Sequence, residues 1–326
     1  MSNNGTPAKP GVTFFEVTEA QEGQRVDNFL HKHLKGVPKS RVYRILRKGE
    51  VRVNKSRVKP EYKLVLGDLI RVPPVRVSEQ KSSAKVSDKL SRLLEASVLY
   101  EDDQLLVINK PSGLAVHGGS GINLGLIEAL RLIRPDSRFL ELVHRLDRET
   151  SGCVMVAKKR VMLKYLHELL RSKSGVDKRY LALTSGRWPN RQKTVSAPLE
   201  KNQLQSGERM VRVTPEGKPS VTEFQVLQRY QKATLVEARP ITGRTHQIRV
   251  HAQHAGHALL GDEKYCPAEV NKTFRGQGLN RLFLHAASLR FSMPDSKKEL
   301  LIEAPLEESL AHFLAGLALA DDGEKK

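Results

Sequence analysis

The run His144-Arg-Leu-Asp-Arg-Glu-Thr-Ser-Gly152 decides how this chain is read. Extended backbone over Leu142 to Asp147 would alternate sides, placing Arg145 and Asp147 on one face and His144 and Leu146 on the other. An acid and a base then share a surface. By residue type alone, the commoner use of such a pair is an ordinary ion pair across one strand face. The stretch is followed by an apolar run, Val154 to Ala157, of the kind that fills a buried strand.

Outward from this point, Leu105 to Asn109, Tyr180 to Leu183 and Thr234 to Ala238 also read as strands. Val161, Met162, Tyr165, Leu166, Leu169 and Leu170 recur at helical spacing and predict an amphipathic helix with a wide apolar stripe. Strands and helices do not alternate regularly, so a mixed α and β domain is expected rather than a parallel sheet. No internal repeat of fixed period is found.

The chain has 326 residues, long enough for two domains, with 39% hydrophobic and 28% charged residues, an ordinary globular composition. Its charge is not ordinary. The formal net charge is +19, and residues 25–76 hold 15 Lys or Arg against Asp27, Glu50, Glu61 and Asp68, so +11 sits in one-sixth of the chain. A local excess of this kind points to a polyanion-binding domain, with nucleic acid as its partner. Pro73, Pro74 and the Ser/Lys-rich stretch 78–87 then read as a linker.

Within the basic part, Ser40 is expected as N-cap and Gly49 as the residue after the C-cap of a helix over Arg41 to Lys48. Arg41, Arg44, Arg47 and Lys48 fall on one side of it, and Val42, Ile45 and Leu46 on the other. A solvated charged face is the usual explanation for one such helix. The basic strands around Val51, Val53 and Leu64 to Val72, together with the local charge, favour RNA.

Several signals are set aside. Cys153 and Cys266 stand far apart, so neither disulfides nor a cysteine-rich zinc site is expected. His246, His251, His254 and His257 lie close in sequence, but only His251 and His254 share a helical face, and no HExxH pattern is present, so no metal is expected. Gly118-Gly-Ser-Gly121 does not fit GxGxxG. Gly217-Lys218 lacks the first glycine of a phosphate loop, with Arg212 in its place and Pro219 after the lysine. The polar amino terminus lacks a secretory stretch and no apolar run is long enough to span a bilayer, so a cytoplasmic protein is expected.

The stretch 142–152 resembles the signature of the large-subunit ribosomal pseudouridine synthases. Also similar to that family are Val107-Ile-Asn-Lys-Pro-Ser-Gly113, Val116-His-Gly-Gly119, Lys178-Arg-Tyr-Leu-Ala182, Gln205-Ser-Gly-Glu-Arg209, Gly217-Lys-Pro-Ser220, Thr242-Gly-Arg-Thr-His-Gln-Ile-Arg-Val-His251 and Leu279-Asn-Arg-Leu-Phe-Leu-His285. Arg25-Val-Asp-Asn-Phe-Leu30, Ser40 to Leu46 and Gly49 to Asn54 resemble the small RNA-binding domain named after ribosomal small-subunit protein four. The resemblance spans roughly residues 20–305.

It implies an α+β protein: a small αβ RNA-binding domain, then a catalytic domain with a mainly antiparallel mixed sheet and a central cleft. The expected divisions are a flexible tail over 1–19, the RNA-binding domain over 20–76, a linker over 77–94, the catalytic domain over 95–315 and a charged tail over 316–326. The implied reaction moves the ribose bond of uridine from the base nitrogen to carbon 5. No atoms are gained or lost, so no cofactor is needed.

The resemblance makes Asp147 the catalytic carboxylate, and leaves open whether it attacks sugar or base or removes a sugar proton. It makes Arg244 the cation paired with Asp147, a position that could otherwise serve phosphate contact or helix capping. Tyr180 becomes the active-site tyrosine, though a strand tyrosine is more often core. Arg145 is implied to fill the gap left by an extruded uridine, and Ile248, three to four positions into a helix after Thr245, to touch the flipped base or simply to pack on the sheet. Large-subunit ribosomal RNA is the implied substrate, and a monomer is expected.

Overall fold

The computed structural model describes residues 11–34, 36–75, 86–119, 124–172, 175–203, 209–294 and 298–320. The chain divides into two compact units, 1–85 and 86–326. The motif residues 205–208, the glycine-rich residues 120–121, residue 76 and residues 77–85 of the expected linker lie outside the described residues.

The first unit runs β1 (Thr13–Glu16), α1 (Val26–His33), α2 (Lys39–Arg47), β2 (Arg52–Val53) and β3 (Leu69–Val72), with sheet order β1-β3-β2. Val42, Ile45 and Leu46 of α2 enter a core with Val26, Phe29, Leu30 and Ile70, while Arg41, Arg44, Arg47 and Lys48 stay exposed, as the helical spacing predicts. Two expectations change. The N-cap is Pro38 rather than Ser40, so the helix starts earlier; proline has no N–H to leave unbonded at that end. Gly49 does follow the C-cap Lys48, with φ +67. Residues 13–16, expected in a tail, pair antiparallel with β3, and Val17 beyond them is buried.

The second unit contains α3 (Asp88–Ala96), β4 (Val98–Glu101), β5 (Leu105–Lys110), α4 (Leu126–Ile133), β6 (Glu141–Leu142), β7 (Ser151–Ala157), α5 (Arg160–Arg171), β8 (Val176–Ser185), β9 (Thr194–Ser196), β10 (Leu199–Gln203) and β11 (Arg209–Val213). It continues with β12 (Val221–Arg229), β13 (Ala233–Pro240), α6 (Gln247–His254), α7 (Ala268–Gly276), β14 (Leu284–Ser292), β15 (Glu299–Glu303) and α8 (Glu308–Ala315). Ten strands form one sheet along β4-β5-β7-β14-β8-β13-β12-β9, with β15 beside β14 and β6 beside β7; β10 and β11 make a separate hairpin. Among the described residues, β7 and β14 are the one parallel pair. The α+β class and mainly antiparallel sheet expected from sequence are what the chain forms.

Strand β7 is buried along its whole length because helices cover both of its faces. Val154 and Val156 pack with Leu126 and Leu130 of α4, whereas Cys153, Met155 and Ala157 pack with Met162 and Leu166 of α5. Each fully buried Leu or Met contributes about 1.5–3 kcal/mol relative to exposure. The stripe of α5 is narrower than expected, since Val161 is 72% exposed. At the seam of the parallel pair, Gly152 has φ +108 and a β-carbon would run into the Ala286 backbone, so only glycine fits.

The unit boundaries also differ from expectation. Residues 88–94 are helical rather than linker: the Ser87 hydroxyl accepts from the Leu90 N–H, and Leu94 is fully buried. Residues 316–320 are not all tail, because Leu319 bridges Tyr230 and the Ala320 N–H donates to the Arg229 carbonyl. No helix among the described residues is long and apolar enough to cross a membrane.

Candidate active site

The decisive stretch is not a strand. After β6 ends at Leu142, residues 143–150 form bends and turns leading into β7. The expected alternation does not survive: Val143 and Leu146, three residues apart, are buried, Arg145 is exposed, and His144 and Asp147 are both half-buried. His144 turns back, its Nε2 accepting the Met155 N–H at 3.1 Å. An acceptor nitrogen needs the neutral ring, and burial pushes the His144 pKa down to about 4.

The turn after Asp147 is clamped from below. Lys110, at the end of β5 and fully buried, donates to the carbonyls of Pro111 (2.8 Å), Leu114 (2.9 Å) and Arg148 (3.1 Å). The Gly113 N–H also donates to the Arg148 carbonyl (2.9 Å), and the Ser112 hydroxyl to that of Glu149 (2.9 Å). On the other side, Arg281 donates to the Ser151 hydroxyl at 2.9 Å, which also pairs with His285 Nδ1 at 2.9 Å. Asp147 therefore sits on a turn whose backbone is tied on both flanks.

A cleft of ≈ 670 Å³ opens above it, lined by Arg145, Asp147, Tyr180, Arg244, Ile248 and Arg249 among others. All five expected catalytic-unit residues thus face one cavity. Tyr180 comes from β8, and its pKa is raised by burial first and by the charge of Asp147 second, so the hydroxyl keeps its proton. Ile248 is only 6% exposed and packs with Ala182, Phe224 and Ala238, with Tyr180 against the same cluster, so it both packs on the sheet and borders the cleft. It is the second residue of α6, earlier than expected, because that helix begins at Gln247.

The expected Arg244–Asp147 pair does not form. Arg244 precedes α6 on the exposed side of its entry turn and donates Nε–H to the Pro219 carbonyl at 3.4 Å. Its N–H donates to Gln247 Oε1 at 3.0 Å, which also accepts from Thr242 Oγ1 at 2.7 Å. Arg249, two residues into the inward face of α6, takes the place instead, with Nη1 3.6 Å from Asp147 Oδ2. Its Nε and Nη2 each bond Asp262 at 2.7 Å, and the guanidinium lies 5.0 Å above the Tyr265 ring. Burial opposes the charge, but the hydrogen bonds that Arg249 donates to Asp262 and the charges of Asp262 and Asp147 raise the Arg249 pKa above its ordinary value.

His246 approaches the same carboxylate oxygen, with Nε2 at 3.7 Å. Sequence reading gives no role to Arg249, Asp262 and Tyr265, and weighs His246 only as a metal ligand. The available signal was an arginine between Ile248 and Val250, a position that buries its charge and so demands an acid from elsewhere in the chain.

The geometry is that of a preorganised, cation-flanked carboxylate at the floor of a cleft. Residues 104–254 match the model described as RNA pseudouridylate synthase, and residues 24–70 match the S4 domain. Ribosomal large subunit pseudouridine synthase C of Yersinia pestis is 57% identical over 310 residues, spanning 94% of this chain and 96% of that protein. The chain belongs to the RNA pseudouridylate synthase family. It is therefore an isomerase with an amino-terminal S4 domain. The protein of the same name from Escherichia coli (strain K12) is 58% identical over 312 residues, spanning 94% of this chain and 97% of that protein. Among solved structures, Human RNA Pseudouridylate Synthase Domain Containing 4 is 29% identical with a TM-score of 0.58, covering 72% of this chain and 98% of that one. Human RNA Pseudouridylate Synthase Domain Containing 1 gives 26% and 0.56, covering 69% and 88%.

Proposed function

We propose that this synthase converts several uridines of large-subunit ribosomal RNA to pseudouridine, using Asp147 as the catalytic carboxylate. The observation that carries the reading is Asp147 itself, flanked by Arg249 and His246 on the floor of a cleft bordered by Tyr180. The names of the relatives support large-subunit ribosomal RNA as the substrate.

The reaction breaks the C1′–N1 bond, turns the uracil, and joins C5 to C1′; the proton on C5 is released and N1 takes one up. Attack on the sugar, attack on the base and removal of the neighbouring sugar proton all need an ionised carboxylate. Arg249 holds its guanidinium beside Asp147 and fixes where the carboxylate points. The Tyr180 ring covers the uracil, and its protonated hydroxyl stands ready to donate. Ile248 meets the base from the helix side. Arg145, exposed beside Asp147, enters the duplex where the uridine leaves it. Arg244 faces RNA from the rim of the cleft.

In the first unit, Arg41, Arg44, Arg47 and Lys48 contact phosphates and supply affinity without chemistry. The protein acts as a monomer in the cytoplasm, without metal or cofactor. An assembly factor that only grips ribosomal RNA would have no use for a carboxylate aimed into an RNA cleft. Mapping pseudouridines in ribosomal RNA from cells with and without the protein tests this function. Loss of particular large-subunit sites supports it, and an unchanged map refutes it.

A further inference from the structure

His246, in the cleft wall, and Tyr265, behind it, form a connection that the chemistry described so far does not use. The Tyr265 hydroxyl lies 2.7 Å from His246 Nδ1, and it accepts the N–H of Val211 on β11 at 3.0 Å. The two rings meet edge to face, with centroids 5.5 Å apart. Tyr265 is 3% exposed and His246 13% at its side chain, so water does not compete freely for these atoms.

A hydroxyl that accepts one bond and donates one is satisfied most simply, and Nδ1 at 2.7 Å is the acceptor within reach of its hydrogen. A tyrosine hydroxyl has one hydrogen, and its oxygen already accepts from Val211. Donating that hydrogen to Nδ1 makes Nδ1 an unprotonated acceptor, and a neutral imidazole then carries its hydrogen on Nε2. That nitrogen is the one facing Asp147, at 3.7 Å from Oδ2. Burial lowers the His246 pKa, Arg249 and Lys264 act in the same direction, and Asp147 and Asp262 oppose them.

The backbone at His246 agrees with a position held for a purpose. It is one of three non-glycine residues with positive φ among those described, at φ 52 and ψ 20, directly before α6. Tyr265 also donates its backbone N–H to Asp262 at 3.2 Å and carries Arg249 over its ring. Both groups that approach Asp147 Oδ2 are thus referred to one tyrosine.

We propose that His246 and Tyr265 are positioning residues for Asp147. Tyr265, oriented by the Val211 backbone, holds His246 as the tautomer whose Nε2–H points at the carboxylate. With Arg249, this turns Oδ2 toward the protein and Oδ1 toward the reacting nucleoside. The 3.7 Å gap closes by direct approach or through one water when substrate binds. Because Val211 belongs to the β10–β11 hairpin, the seating of that hairpin is coupled to the aim of the carboxylate. The proposal rests on Asp147 being catalytic.

The test is nitrogen NMR of the full-length protein with 15N-labelled histidine at pH 7, the His246 signals being assigned by their loss in His246→Gln. An unprotonated Nδ1 and a protonated Nε2 are expected. Tyr265→Phe should give a mixture of tautomers and a chemical step slowed by about tenfold in single turnover, with RNA affinity unchanged, in the range usual for outer partners of a reacting group. His246→Gln, which keeps a side-chain N–H, should retain more activity than His246→Ala. A proton on Nδ1 in the wild type overturns the proposal, even if Tyr265→Phe proves unstable; so does a folded Tyr265→Phe with wild-type rate. An active Asp147→Asn variant would instead remove the catalytic reading while leaving the tautomer result standing.

Discussion

Arg249 presents Nη1 to Asp147 at 3.6 Å while its Nε and Nη2 are both held by Asp262 at 2.7 Å. A guanidinium fixed at two of its nitrogens has little freedom in the third, so the cation beside the carboxylate is set in place before substrate arrives.

Arg249 and Arg244 should consequently behave differently. Arg249→Lys keeps a charge but cannot both bridge Asp262 and reach Asp147, and it should slow the chemical step by about 10²–10³-fold. Arg249→Met would in addition strand the buried Asp262, at a cost of about 3–5 kcal/mol of stability. Arg244→Met should leave the chemical step within a few fold and reduce the log-log salt slope of RNA binding by about 0.7–0.9. Single-turnover rates and salt titrations distinguish the two, and a slow Arg244→Met with normal binding would restore the pairing expected from sequence.

The basic helix of the first unit offers a separate test. Reversing Arg41, Arg44 and Arg47, all exposed on one face, should weaken binding and flatten its salt dependence by about 0.7–0.9 for each phosphate no longer neutralised. The rate of the bound complex should not change. An unaltered slope would place that face away from RNA.

His144 links the site to acid stability. Its pKa of about 4 in the fold lies below the ordinary 6.5, so the unfolded chain binds the extra proton first as pH falls. The neutral-ring contribution is complete above 6.5, declines as pH falls and is gone below about 4; its ceiling is about 3 kcal/mol. Urea unfolding should show wild type losing more stability than His144→Gln between pH 7 and 4.5. Parallel losses in the two proteins would exclude His144 as the source.

Lys110 should matter for position rather than for contact with RNA. Lys110→Met leaves the carbonyls of Pro111 and Leu114 without this donor, while that of Arg148 keeps the Gly113 N–H, and each unsatisfied buried group costs about 1–3 kcal/mol. A lowered Tm and a slower chemical step with normal RNA affinity are expected. A wild-type Tm would mean that the turn holds itself.

Much of this architecture is legible in sequence because it depends on periodicity. The spacing of Val42, Ile45 and Leu46 against four basic residues gives both faces of α2, and Met162, Leu166 and Leu169 give the inner face of α5. Thr13-Phe-Phe-Glu16 carries no readable strand signal because only Phe15 packs inward at a sheet edge, leaving no alternation. The cleft residues were found through motifs, but choosing between Arg244 and Arg249 needs to know where α6 starts and that Asp262 lies opposite it. Lys110 was opaque for a similar reason, since one of its acceptors, the Arg148 carbonyl, is 38 residues away.

The central claim is that the charge on Asp147 performs the chemistry, and Asp147→Asn tests it most directly, since the amide keeps the shape and removes the charge. The measurement is tritium release from ribosomal RNA labelled at carbon 5 of uracil, under single turnover, beside RNA binding by the same protein. The account predicts no release above background with affinity close to wild type. Release near the wild-type rate would contradict it.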